Sequence, residues 1–164
     1  MLNEISGVSS ILEIGSCFGH TLKAMAHVAQ PHSLVRSIDL GFHPWPVEGI
    51  DTSAELELAI NQLKDEGYNA EFLRASSRDS SAIAWASRNA PYDFVFIDGD
   101  HSAEGVRADW NNYGPMGRVV GFHDIASETV GALWKEIKSA YPENKEIINS
   151  DKGIGIVTRT RQTP

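Results

Sequence analysis

Short apolar runs alternate with longer segments of helical spacing from one end of the chain to the other. The runs cover residues 11–14, 34–40, 70–73, 94–97, 119–122, 147–148 and 154–157. Several are almost continuously apolar rather than alternating with polar residues, as a parallel strand covered on both faces requires. Helix signals stand between them. Thr52-Ser53-Ala54-Glu55 has the form of a capping box, and Leu56, Ile60 and Leu63 follow on one helical face. Asp79-Ser80 offers a cap to a helix through residues 82–87, and Val130, Leu133, Trp134 and Ile137 mark another. No internal repeat, low-complexity tract or linker interrupts the pattern. Strands alternating with helices imply right-handed βαβ crossovers. The expected fold is therefore α/β, a Rossmann-like, doubly wound and mostly parallel sheet with helices on both faces.

Length and charge narrow this further. The 164 residues suit one domain. A domain of that size buries roughly 70% of its unfolded surface and needs no disulfide or metal to fold. The single cysteine, Cys17, excludes an internal disulfide and any Cys-based zinc cluster. Against 14 Lys and Arg stand 22 Asp and Glu, a net charge of −8, with no basic run. That balance argues against nucleic acid and against an anionic membrane as partners. The N-terminus does not read as a signal peptide and no stretch of apolar residues is long enough to span a bilayer, so a cytoplasmic location is expected.

In a doubly wound sheet the ligand lies beyond the C-terminal strand ends, where strand order reverses. The first run leads into Glu13-Ile14-Gly15-Ser16-Cys17-Phe18-Gly19-His20. Gly15 and Gly19 permit a sharp turn and close approach of a ligand, although a plain strand-to-helix turn would need them too. Cys17 stands at the second glycine of the dinucleotide fingerprint, and no Gly-Lys-Ser/Thr follows, so neither that motif nor a P-loop is present. Asp39, ending the second run, can accept both hydroxyls of a ribose. The third run ends in Arg74-Ala75-Ser76-Ser77-Arg78-Asp79, whose small polar residues could meet an adenine edge, while Asp79 and Ser80 read as helix caps. His43 or Trp45, in the loop after Asp39, could cover a ligand. Trp85, Trp110 and Trp134 read as packing residues, and so does Cys17.

The fourth run ends in Asp98-Gly99-Asp100-His101 and the fifth in His123-Asp124. Neighbouring strand ends lie about 4.8 Å apart, close enough for Asp98 and Asp124 to share one cation. Carboxylates suit Mg²⁺, whereas a directly bound His123 would favour a borderline ion. His101, three residues past Asp98, has the pKa of a general base near neutrality. The same four residues could also build a metal-dependent hydrolase or phosphoesterase, or merely cap turns.

Taken together, Glu13-Ile14-Gly15-Ser16-x-x-Gly19, Asp39, Ile97-Asp98-Gly99-Asp100-His101 and Phe122-His123-Asp124 resemble a class I S-adenosylmethionine-dependent methyltransferase. More narrowly they resemble the metal-assisted O-methyltransferases of the catechol and macrocin type, with their cephalosporin-hydroxylase-like relatives, over residues 10–159. The resemblance implies a seven-stranded sheet in which residues 153–158 form an antiparallel strand between two neighbours. It implies that Glu13, Gly15, Ser16 and Gly19 line the methionine moiety, that Asp39 holds the ribose, and that Ser77 and Arg78 contact adenine. Asp98, His123 and Asp124 would hold a divalent metal, Mg²⁺ or else Mn²⁺, with Asp98 also bordering the donor and His101 as base. The implied reaction is O-methylation of a small hydroxylated acceptor; a non-catalytic cofactor-binding subunit is the other alternative. Two features depart from the family. Gly114-Pro115-Met116-Gly117-Arg118 replaces the usual Pro-Gly-Gly, and only residues 1–9 precede the first run, where relatives place helices that roof the acceptor. A shortened roof is expected, completed by a second copy or a partner.

Overall fold

A computed structural model describes residues 1–43, 49–148 and 152–159. Its strands and helices alternate as β1 (Ser10–Ile14), α1 (His20–Val28), β2 (Leu34–Asp39), β3 (Phe42–His43), β4 (Ile50–Asp51), α2 (Ser53–Asp65) and β5 (Asn69–Arg74). They continue with α3 (Ser80–Ser87), β6 (Tyr92–Ile97), α4 (Ala103–Tyr113), β7 (Gly117–His123), α5 (Glu128–Ala140), β8 (Asn144–Ile147) and β9 (Ile154–Thr158). All seven apolar runs are strands of one sheet, in the order β5-β2-β1-β6-β7-β9-β8. The first five strands in that order pair in parallel, and β9 lies antiparallel between β7 and β8. Strand order reverses between β1 and β6, where crossovers leave in opposite directions and a crevice opens.

The period of two along each strand sorts the core into two layers. Ile11, Val35, Phe94 and Phe96 face α1 and α2, where Leu22, Met25, Leu56, Ile60 and Leu63 are buried against them. Leu12, Ile14, Ile38, Val95, Val120 and Phe122 face α3, α4 and α5 and meet Ala82, Val106, Tyr113, Leu133 and Trp134. Burial on both faces is why these strands read as continuous apolar runs. The three tryptophans pack as expected. Trp134 is buried, Trp85 carries the Arg36 guanidinium 4.0 Å above its ring, and the Trp110 ring lies tilted against Phe122 with centroids 5.5 Å apart.

The helix starts differ from the sequence reading. Thr52 sits at the N-cap of α2 without a side-chain capping bond, because its backbone (φ −105°, ψ 0°) is not the extended one a cap needs. Its hydroxyl is buried without a partner, and Asp51 instead accepts the Ser53 amide at 2.9 Å. Asp79 makes no capping bond either; its carbonyl accepts the Ala82 and Ile83 amides at 3.0 Å each, and the exposed end is open to water. The side-chain caps stand at Ser102 and Ser127, whose hydroxyls accept the amides of Gly105 and Val130 at 3.0 and 3.3 Å. The ribbon of β3 and β4 was not legible in the sequence, and Trp45 lies outside the described residues. Among the described residues, no helix is long and apolar enough to cross a membrane.

Candidate functional site

The turn after β1 is a chain of left-handed residues, with φ of 84° at Gly15, 51° at Cys17 and 78° at Gly19. Gly15 is required by more than its backbone angle. A Cβ there would lie 2.3 Å from the carbonyl oxygen of Asp98 and 2.6 Å from Gly99 Cα. The absence of a side chain lets the ends of β1 and β6 touch, which brings the glycine loop beside Asp98. Cys17, at the place of the fingerprint's second glycine, takes a left-handed conformation at some strain. Its amide donates to Asp39 Oδ2 at 2.8 Å, and the Gly41 amide donates to Asp39 Oδ1 at 2.6 Å. Both oxygens of Asp39 are thereby oriented, each with lone pairs to spare for a ligand hydroxyl.

Behind this loop Ser16 donates to Glu13 Oε2 at 2.5 Å, and Ser37 donates to Ser16 at 2.7 Å. Glu13 is fully buried, and burial pushes its carboxyl well above the ordinary range, against the hydrogen bond from Ser16. It reaches the crevice only through Ser16.

On the other side of the crevice, Arg78 donates to Asp100 Oδ2 at 2.8 Å and to Glu104 Oε1 at 3.2 Å, tying the loop after β5 to the start of α4. The Tyr113 hydroxyl donates to the Ser77 carbonyl at 2.6 Å and braces the same loop from below. Asp109 is buried in α4 between these segments, with neither carboxylate oxygen hydrogen-bonded. Burial is the main cause that pushes it up to about 6. A carboxyl raised in the folded state favours folding most when neutral. Its contribution is full below about pH 4 and is lost as pH rises through about 6. Asp109→Asn is therefore expected to gain stability relative to the natural protein over that window, by at most about 3 kcal/mol. Urea midpoints of both proteins from pH 4 to 8 check this, and parallel profiles would refute it.

The third group gathers at the ends of β6 and β7. His101 Nε2 lies 3.1 Å from Asp98 Oδ1, and its Nδ1 lies 3.2 Å from Asp124 Oδ2. His123 Nδ1 lies 3.0 Å from Asp98 Oδ1 and 3.1 Å from Asp124 Oδ1. The Ser102 cap fixes the chain just after His101, and Thr129 of α5 donates to the His101 carbonyl at 2.7 Å. Asp124 (φ 58°) turns the chain sharply after β7. Burial would raise Asp98, but contacts with His101 and His123 hold its carboxyl below the ordinary value. Contact with Asp98 in turn raises both imidazoles despite their partial burial. Asp98, His101 and His123 offer ligand atoms within 4.8 Å of one another, a mixed oxygen and nitrogen set that fits a divalent ion.

These groups line one cavity of about 690 Å³. That is the size of a pocket for a cofactor-sized ligand. Gly15, Ser16, Asp39, Ser77, Arg78, Asp98, His101 and His123 all border it. Glu13, Gly19 and Asp124 do not. Glu13 lies beneath Ser16, Gly19 is turned against α2, where a Cβ would come within 2.7 Å of Ala59, and Asp124 stands behind the two histidines. His43 also borders the cavity, as do Phe18, Leu40 and Phe42, which the sequence reading did not single out. Lys152 was missed as well. It reaches the cavity from the segment before β9, with Nζ 3.6 Å from Asp124 Oδ1. The Ala126 amide donates to its carbonyl at 2.7 Å, a tertiary contact with no local signature.

Comparison with known proteins follows the same lines. The sequence model of a family described as a methyltransferase domain matches residues 12–125. No curated protein matches the sequence. Solved structures share the fold at low identity. An O-methyltransferase from Bacillus cereus in complex with S-adenosylhomocysteine has a TM-score of 0.61 at 16% identity, covering 96% of this chain and 77% of that one. MycE from the mycinamycin biosynthetic pathway, in complex with Mg and S-adenosylhomocysteine, has a TM-score of 0.62 at 18% identity over 94% of this chain and 46% of its own. Fibrillarin from Aeropyrum pernix, with natively bound S-adenosylmethionine, has a TM-score of 0.66 at 12% identity, over 94% and 68%.

Proposed function

The chain belongs to the methyltransferase-domain family, and from that premise we propose that it methylates a hydroxyl of a small acceptor using S-adenosylmethionine and a divalent ion. Family membership decides against the phosphoesterase reading of the same acid and histidine residues. One observation carries the fuller proposal. The glycine loop, Asp39, the Ser77–Arg78 turn and the Asp98–His101–His123 group border a single cavity, so a bound donor and an acceptor hydroxyl would share it.

Each residue has work to do in that reaction. Asp39, held by two backbone amides, accepts the ribose hydroxyls, and the turn at Ser77 and Arg78 flanks the adenine. Gly15 and Ser16 admit the methionine end, while Glu13 acts from behind by fixing Ser16. Asp98 and His123, which line the cavity, would hold the ion, with Asp124 behind them. When bound, the donor supplies an electrophilic methyl group and the ion lowers the pKa of an acceptor hydroxyl. His101 takes up the hydroxyl proton, and the carboxylates of Asp98 and Asp124 stabilise the imidazolium that results. Holding both reactants in one cavity contributes the rest. The net charge of −8 and the absence of a basic run support a small acceptor rather than a nucleic acid.

Titration calorimetry with S-adenosylhomocysteine tests the reading. One-to-one binding is expected, and absence of any heat of binding overturns it.

A further inference from the structure

Among the described residues that border the cavity, Arg78 and Lys152 carry permanent positive charge, against the carboxylates of Asp39, Asp98 and Asp100. Strand order puts the two cations on opposite sides of the crevice. Arg78 follows β5 at one edge of the sheet, and Lys152 precedes β9, beyond β6 and β7. Arg78 is committed to Asp100 and Glu104. It stands at the end assigned above to the adenine, which leaves the Lys152 end, with His101 and His123, to the acceptor.

The fold holds the backbone of Lys152 in place. Its carbonyl accepts the Ala126 amide at 2.7 Å and the Gly153 carbonyl accepts the Ile125 amide at 3.4 Å, which stitches the segment to the turn after β7. Gly153 has a φ of 76°, and a Cβ there would lie 3.0 Å from Ile125. Ile154 then pairs with His123, bringing Lys152 to the histidine end of the cavity. The ammonium lies 3.6 Å from Asp124 Oδ1, and its charge opposes the rise of both imidazoles. With three N–H donors on a side chain 61% exposed, it can serve Asp124 and a ligand together.

A cavity lined by carboxylates repels an anionic acceptor unless a cation meets it. One ammonium matches one negative charge, whereas a phosphate dianion would leave a charge uncompensated near Asp98. Resting on the methyl-transfer reading above, we infer that the acceptor is a hydroxy acid whose carboxylate pairs with Lys152 while its hydroxyl meets His101. Lys152 is thus a residue that determines acceptor specificity, and the pairing orients the hydroxyl toward the donor.

Calorimetry in the presence of S-adenosylhomocysteine and Mg²⁺, at about pH 8 where carboxylates and lysines are both charged, provides the test. The probes are dihydroxybenzoate, dihydroxyphenylacetate and dihydroxycinnamate with adjacent hydroxyls, which carry the carboxylate at increasing reach, each beside its methyl ester. At least one acid is expected to bind about fivefold more tightly than its ester, the upper end for an ion pair this exposed. Lys152→Gln should erase that difference, and Lys152→Arg should restore most of it. A preference that survives Lys152→Gln comes from the ion rather than the ammonium and overturns the inference. Equal losses for acid and ester overturn it too, since they would place Lys152 on the shared hydroxyls. So does natural protein that binds none of the acids, or binds acid and ester alike. S-adenosylhomocysteine titrated alone keeps the two readings apart. Donor binding without a preference for the acids overturns this inference alone. A Lys152-dependent preference without donor binding upholds the carboxylate site and overturns the methyl-transfer reading.

Discussion

Gly15→Ala is expected to destroy both the folded state's stability and its capacity for the donor. The added methyl would sit 2.3 Å from the Asp98 carbonyl oxygen and 2.7 Å from Asp98 carbonyl carbon, both backbone atoms that no side-chain rotation can move aside. To relieve the overlap, β1 and β6 must part at their C-terminal ends, where the Asp98 amide donates to the Ile14 carbonyl at 2.9 Å. Those ends are the floor of the crevice. The residue also has a φ of 84°, a strain of about 1–2 kcal/mol for any residue with a side chain. Gly7 separates the two effects. Its φ is 77°, but a Cβ there meets nothing within 4 Å. Gly7→Ala should therefore cost only the backbone strain, about 1 kcal/mol, with donor affinity intact. For Gly15→Ala the loss should exceed about 3 kcal/mol, as overlap in a packed interior adds to strain. Thermal and urea unfolding of both variants give the comparison. Equal losses in the two proteins would mean that the contact between β1 and β6 is looser than described.

The second large effect falls on the donor itself. Asp39→Ala removes the acceptor for two ligand hydroxyls and also releases the amides of Cys17 and Gly41. Hydrogen bonds to a charged group are worth about 1.5–3 kcal/mol each, so affinity for S-adenosylhomocysteine should fall by about 4 kcal/mol, roughly a thousandfold. Asp39→Asn keeps one acceptor oxygen but turns an amide NH₂ toward a backbone N–H. It should bind with an affinity between the other two. If the alanine variant binds within about threefold of the natural protein, Asp39 does not hold the ribose.

Much of the architecture was legible because it depends on local periodicity. A strand covered on both faces must be apolar at nearly every position, as β1 and β6 are, and all seven apolar runs fall in strands of the main sheet. The strand-end acids and histidines were legible for a related reason: each stands where an apolar run stops. Capping was read less well. A cap depends on the backbone angles of one residue, and those at Thr52 exclude the bond that its hydroxyl could otherwise make. The bracing of the Ser77 turn by Tyr113 and the position of Lys152 were hidden, since both join segments far apart in the chain.

The sequence by itself determined the order of strands and helices and the identity of the residues that end each strand. Those follow from hydrophobic spacing and turn chemistry, which act over a few neighbouring residues. Only the tertiary structure decided which strand ends meet. The pairing of β1 with β6 sets Gly15 against Asp98, and the pairing of β6 with β7 sets His123 against Asp98. It also set Glu13 beneath Ser16 rather than in the cavity, and left His123 Nδ1 between two carboxylates without a hydrogen bond. The physical reason is that pairing partners are chosen by burial of the whole apolar surface at once, a sum over the chain that no local stretch of residues contains.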